Sequence, residues 1–505
     1  MKLISKLVPD WPKLAWVASF ERQIDHIHVL HGPMVEAAAD WIAEAVWADD
    51  FYSGDFDRTE LVFGSGVRVR ELGVTFVSSG TTIDRLWYTW DGQKGSVSNS
   101  LPAILAVTDL SLRIDYGLYV QDVATIIKGL GGYTTSIPTD GAPINVVYFD
   151  NLVFDGDRLH ATSKPDTAPQ FRCYDDYNQF LTGTAARLGQ NATSSKRSFS
   201  IHALSSISSG YDSPAAAVVA RAADCRHTVT FGRATSFWRG PDSGREIAEQ
   251  LGLACVEHRD WRKRLCSNES AVWAATGRCC DLGLATLDYP EPLCMFFTGF
   301  CGDIVWDYGK RTGQRSFSRT DTSGLGLCEY RLIKGFFNIP VPFWGARHKD
   351  ELHLLSQADE MSPWRLGGSY DRPLPRRIIE DAGVQRGSFA VRKKNTQSEE
   401  FFTWPRSPQA SREFNGWLDA AGIQRPNKYF VPTLKSITAA DNLLAKNVLC
   451  KFGWRHKGVR NLLLYRANGL LFQWANQRLK ARCSTALQKL GDHEGLAVEV
   501  PSPLS

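Results

Sequence analysis

Apolar and polar residues alternate through 60–80, in ELVFGSGVRVRELGVTFVSSG, with glycines punctuating the run. A period of two marks half-buried strands. RLWYTWDG and INVVYFDNLVFDGDRL repeat the pattern, and their Asp-Gly steps suit tight turns. EAAADWIAEAVWA, from Glu36, reads differently, and its spacing predicts a helix over 35–47. SVSNSLPAILA (96–106) predicts a turn into a helix. Residues 1–190 are thus expected to form a β-rich N-terminal domain. After the short polar linker NATSSKRS the texture changes. FSIHALSS, a helical pattern, HTVTFG, a second helical pattern, ACVEH and then LCMFFTG (293–299) follow in turn. That alternation predicts an α/β unit with a parallel sheet over 191–400. Residues 401–505 read as a mainly helical C-terminal extension packed on that unit. Its most apolar part, NLLLYRANGLLFQWANQRLKAR from Asn461, is broken by Arg466 and Asn468. It predicts an amphipathic helix, packed or interfacial, and no membrane span.

Composition adds bounds. The 505 residues suggest about two to four domains. A content of 43% hydrophobic and 22% charged residues is that of a chain with a sizeable core. The net charge of +4 is small for this length and argues against a nucleic-acid partner. The 11 cysteines lack any C-x-x-C pair, which speaks against a thiolate zinc site. Buried reduced thiols, such as Cys294 in EPLCMFF, point to a reducing, cytoplasmic setting. His26 and His28 in HIHVLH share one face of a strand, but no nearby acid or cysteine completes a metal site. Trp306, Trp344 and Trp364 leave two readings, an aromatic-lined cavity or core.

The candidate chemistry lies in SSISSGYDSPAAAVVARAA (205–223). Ser208, Ser209, Gly210, Tyr211, Asp212 and Ser213 fall between a predicted strand and a helix with Pro214 in its first turn. Such a loop aims backbone N–H groups and the positive helix end at an anion. Small residues admit phosphate oxygens, and serine hydroxyls add donors. An acid there would repel a phosphate unless a cation intervened, so Asp212 suggests Mg²⁺.

This stretch resembles the S-G-G-x-D-S pyrophosphate-binding loop of the N-type ATP pyrophosphatases (PP-loop enzymes), through Ser208, Gly210, Asp212 and Ser213. Ser209 stands where the family's first glycine usually stands. Phe231-Gly232 sits where the family has its adenine-binding segment. FFTGFCGDIVWDYG (296–309) resembles the second phosphate and metal loop of asparagine synthetases, through Gly299, Gly302 and Asp303, with Ile304 replacing a second acid. Val341-Pro342-Phe343 and the Arg392-x-Lys394 pattern extend the resemblance across about 195–400. The resemblance implies an ATP-pyrophosphatase core that binds ATP through these loops, with Mg²⁺ between Asp212 and Asp303. It implies Lys394, with Lys393 next, as the catalytic group that steadies developing charge. The activity implied is that of an AMP-forming carbon–nitrogen ligase, as in β-lactam synthetases and lasso-peptide cyclases. A small-molecule or peptide carboxylate would be adenylated, and an amine would displace AMP.

Asparagine synthetases use a cysteine after the initiator Met as glutaminase nucleophile, whereas residue 2 here is Lys and the first cysteine is Cys173. Glutamine hydrolysis by that route is not expected. The N-terminal domain is then a sandwich without the nucleophile or an unrelated β domain. Two further readings stay open. One is a PP-loop enzyme that adenylates a carbonyl for thiolation or amination, with Cys301 as a reactive thiol or a packing thiol. The other is a non-catalytic nucleotide-binding descendant. No oligomeric state is set by the sequence, and a homodimer is compatible with it.

Overall fold

Trp41–Trp47 is a strand buried at all positions, preceded by the short strand Glu36–Ala37, so the helix expected over 35–47 is corrected. Trp41, Ala43, Ala45 and Trp47 pack into one apolar cluster, while Ile42 faces another. Both faces of the strand are covered, which hides the period of two, and the alanines imitate helix composition.

The computed structural model describes residues 1–232, 242–259, 264, 268–279, 281–308, 317–319, 321–368, 370–390, 404–424 and 458–494. The chain is mixed α/β. Its N-terminal region carries a seven-stranded and a six-stranded sheet. The two share a core in which Ala18, Val29 and Val97 of one meet Ile42, Val67 and Phe76 of the other. Ser100 caps the helix Leu101–Val107 by accepting from Ala103 N, the turn into a helix that SVSNSLPAILA predicts. His26 and His28 lie on the strand His26–His31 with rings 4.8 Å apart. Among the described residues no group of three or more His, Cys, Asp or Glu could hold a metal.

The third sheet is parallel throughout. Its five strands in chain order are Ile201–Ser206, His227–Phe231, Ala254–His258, Leu293–Thr298 and Phe336–Pro340. Their spatial order is third, second, first, fourth, fifth. The fourth strand is buried at every position, which explains its unbroken apolar run. Helices dominate afterwards, including Lys349–Gln357, Pro373–Asp381, Pro408–Ala420 and Gly458–Glu494. In the last of these, Leu470, Leu471, Trp474 and Ala475 pack with the helix Glu269–Thr276 in one core cluster. These residues of the helix are covered by the chain itself. No helix among the described residues is long and apolar enough to cross a membrane. Trp306 and Trp344 belong to the core, and Trp306 donates to the Tyr177 hydroxyl at 2.7 Å.

A buried ionic cluster ties the N-terminal sheets to the parallel sheet's flank. Arg331, on the helix Cys328–Lys334, donates to Glu44 at 2.6 and 3.0 Å and to Asp84 at 2.7 Å. Glu44 also accepts from Ser65 and Asn99, and neighbouring Glu329 accepts from Ser100 Oγ and Leu101 N. Burial disfavours the Arg331 charge, but Asp84 and Glu44 outweigh it and raise its pKa. Burial pushes Glu44 up, against the pull of Arg331. Removing one member of such a cluster leaves a buried charge uncompensated. Arg331→Ala should therefore cost about 3–5 kcal/mol, read as a shift of the urea midpoint.

Lys164 is buried and bonds the Asn151 side-chain oxygen. Burial brings its amine down to about 7, against the upward pull of Asp150, Asp57 and Glu60. The unfolded chain keeps that proton up to about 10.5, so between the two values it binds more protons than the folded chain. This contribution to stability therefore rises with pH from about 7 to about 10. Lys164→Met should flatten that rise and stabilise most at and below pH 7, measured as the difference in Tm between variant and parent across the window.

Candidate functional site

Strand order places the site. The chain runs from the first strand outwards to the second and third, then returns on the first strand's other side as the fourth. Connections from the adjacent first and fourth strands therefore leave in opposite directions, and a crevice opens beyond their C-terminal ends. Ile201 to Ser205 pair in register with Leu293 to Phe297, so the two strand ends are level. Residues 207–211 follow the first strand and lead into the helix Asp212–Ala220. Residues 299–301 follow the fourth and lead into the short helix Gly302–Val305. Both sequence-predicted loops thus stand at one crevice.

They touch. A Cβ built on Gly299 would lie 2.4 Å from the Asp212 carbonyl carbon and 2.5 Å from Ser213 N. One built on Gly302 would lie 2.4 Å from Asp212 Cγ and 2.6 Å from Oδ1. Neither glycine has positive φ, so close approach, and not backbone conformation, is what excludes a side chain here. Cys301 between them adopts φ +67°, the strained member of the loop. Its thiol is pushed up to about 11 by burial, the behaviour of a packed thiol more than of a nucleophile.

Within the first loop, Ser208 Oγ and Ser213 Oγ lie 2.8 Å apart, and Gly210 N donates to Ser208 Oγ at 3.3 Å. Ser209 Oγ donates to Asp242 at 2.6 Å, and the Ser209 carbonyl accepts from Ala390 N at 2.8 Å. Ser209 is absent from the positive-φ residues, so the turn does not need the glycine the family resemblance suggests. A Cβ on Gly210 would meet only the Ser208 and Tyr370 hydroxyls, at 3.5 and 3.7 Å, which leaves that backbone approachable. Tyr211 turns inward instead. Its ring is fully buried, and its hydroxyl accepts from Arg376. Burial raises its pKa, against the pull of Arg376. Phe231 and Gly232 end the second strand, where Gly232 N donates to the His258 carbonyl at 3.1 Å and a Cβ would strike Glu257. Lys393 and Lys394 lie outside the described residues.

Arg372 is the residue of the candidate site that sequence reasoning missed. It donates to both Asp212 carboxylate oxygens, and its side chain is 5% exposed. Burial disfavours its charge, but Asp212 outweighs that, Asp303 adds to it, and the pKa rises. A signal was present. Arg372 stands at the N-cap position of Pro373–Asp381 without a capping bond, where the helix dipole disfavours a cation. A basic residue directly before a helix-opening proline is there for another partner. Tyr370 stacks edge-on against Tyr211 at 4.9 Å and closes that side.

The crevice thus joins a loop of serine hydroxyls, an approachable glycine backbone, a buried arginine and the carboxylates of Asp212 and Asp303. It suits a phosphate chain. Asp212 and Asp303 are the carboxylates here that could hold a Mg²⁺ ion, which beside nucleotides takes one or two carboxylates, with phosphate oxygens and water completing the shell, and Arg372 engages both Asp212 oxygens in this structure. Gly302→Ala should push Asp212 away from Arg372 and cost about 1–3 kcal/mol, seen in the urea midpoint. Ala at Gly210, where space is open, should cost less. No protein-family model matches this chain, and no curated protein matches it either.

Proposed function

We propose that this chain is an ATP- and Mg²⁺-dependent carbon–nitrogen ligase with an ATP-pyrophosphatase-type core. It adenylates a substrate carboxylate, releases pyrophosphate, and lets an amine displace AMP. The observation that carries this reading is the contact of Gly299 and Gly302 with Asp212 and Ser213 at the crevice of the parallel sheet. Two loops far apart in sequence, each suited to phosphate, meet where such sheets bind ligands.

A free carboxylate is a poor electrophile, so its oxygen must first be joined to the α-phosphorus, with pyrophosphate as leaving group. In this reading the Ser208 and Ser213 hydroxyls and the Gly210 backbone bind the leaving phosphates. Arg372 supplies fixed positive charge beside them. Asp212 and Asp303 would hold Mg²⁺, whose chemistry when bound is to neutralise phosphate charge. Lys394 or Lys393 would stabilise charge as the amine attacks the acyl carbon, AMP departs with the electron pair of the broken C–O bond, and the proton the amine loses passes to water.

One observation favours a second reading, nucleotide binding without turnover. Arg372 already engages both oxygens of Asp212, and buried Ile304 stands where a further acid would be. Pyrophosphate release and ATP calorimetry separate the two. The ligase reading expects ATP-to-AMP conversion with a suitable carboxylate and amine. It also expects Asp212→Ala and Arg372→Met each to lower the rate about 100-fold or more, on the scale of losing one transition-state donor. ATP binding without AMP formation from any carboxylate pool would establish the second reading instead.

A further inference from the structure

Residues 163–173 connect the strand Leu159–Thr162 to the helix Tyr174–Ala192. On the way they meet the start of the helix Lys349–Gln357, and His348, at its N-cap position, makes the junction. The ring Nε2 lies 3.1 Å from Asp166 Oδ1, and Nδ1 lies 3.1 Å from Glu351 Oε1. Each carboxylate also holds one backbone amide of the connection. Ala168 N donates to Asp166 Oδ1 at 3.3 Å, and Phe171 N donates to Glu351 Oε2 at 3.2 Å. The Phe171 ring stands edge-on to the imidazole at 5.5 Å. The other charged groups beside the ring are Glu60, which is within its electrostatic reach, and Arg347, which pairs with Glu60 at 3.0 Å and donates to the Lys164 carbonyl at 2.8 Å.

An ionised carboxylate only accepts hydrogen bonds, so each of these two contacts needs an N–H from the ring. A neutral imidazole has one N–H, and the imidazolium has two. The geometry is therefore that of the protonated ring. Loss of a proton would turn a nitrogen lone pair on to a carboxylate oxygen, and one of the two contacts would part. Burial disfavours the His348 charge, but Asp166 and Glu351 outweigh it and raise the pKa above the ordinary 6.5. Burial likewise disfavours the Asp166 charge, but His348 outweighs it and lowers that pKa.

We propose that His348 is a proton-operated clasp, which fastens the connection 163–173 to the helix Lys349–Gln357 while both ring nitrogens carry protons and lets it go when one is lost. The unfolded chain gives up this proton near 6.5 and the folded chain above it. The clasp's contribution to stability is therefore complete below about 6.5 and is lost as pH rises through the folded value. At the acid end it fails only when Asp166 is protonated, below the ordinary value of 3.8. The helix that the clasp holds also carries His353, whose Nε2 donates to the Ile304 carbonyl at 3.1 Å. One element thus rests on the connection at its start and on the helix of the second loop a turn later.

The test uses the full chain, with NMR of its histidine rings and amide hydrogen exchange. One ring resonance, absent from His348→Gln, is expected to titrate above 6.5, and Asp166→Asn and Glu351→Gln should each lower its midpoint. Exchange at Ala168 and Phe171, corrected for its intrinsic pH dependence, should rise about threefold or more across that midpoint. In His348→Gln, exchange at these two amides should be fast at both ends of the range. Should His348→Gln not fold, the two carboxamide variants still identify the resonance, and exchange in the parent still decides. A midpoint at or below 6.5, a midpoint that neither carboxamide variant moves, or protection in the parent that ignores pH would each overturn the proposal.

Discussion

Two positions without side chains decide how near the first and fourth strand ends come. Gly299 and Gly302 let the second loop rest on Asp212 and Ser213 at distances no Cβ permits. The other features of the crevice follow from that approach. Asp212 is held where Arg372 can reach it, Asp303 is carried close enough for Arg372 to feel its charge, and Cys301 takes the strained φ that the tight passage imposes. Packing between loops, more than the conformation of either, sets the geometry.

The acid in the first loop now has a second partner. On sequence grounds Asp212 beside a phosphate cradle calls for a cation, and the folded chain already supplies one in Arg372. Arginine is always charged and presents a planar fork, so the pair holds the helix start in place when no ligand is present. A ligand drawing on Asp212 must share it with Arg372 or displace it. The Asp212 carboxylate is therefore paired before anything binds.

Legibility followed how each element meets its surroundings. The parallel strands Ile201–Ser206, His227–Phe231, Ala254–His258 and Leu293–Thr298 were readable because each is a short apolar run beside helical periodicity. Trp41–Trp47 was misread because two separate apolar clusters cover its two faces. The two glycine loops could be named from sequence, but not the reason for their glycines, which is a contact between distant residues. Tyr211 reads in sequence as part of its loop, yet its side chain serves the core beside Arg376 and Phe389. Arg372 escaped because its partner lies 160 residues away.

The cluster around Arg331 has a consequence for biosynthesis. Glu44 and Asp84 are synthesised 287 and 247 residues before the guanidinium that pairs with them. At about 5–20 residues per second, the emerging N-terminal sheets wait roughly 12–57 s for it. Through that interval Glu44 and Asp84 lack the guanidinium that compensates their burial in the folded protein. Vectorial synthesis thus leaves the first-made part of this protein unfinished until the parallel sheet is nearly complete, the interval in which a chaperone has most to hold.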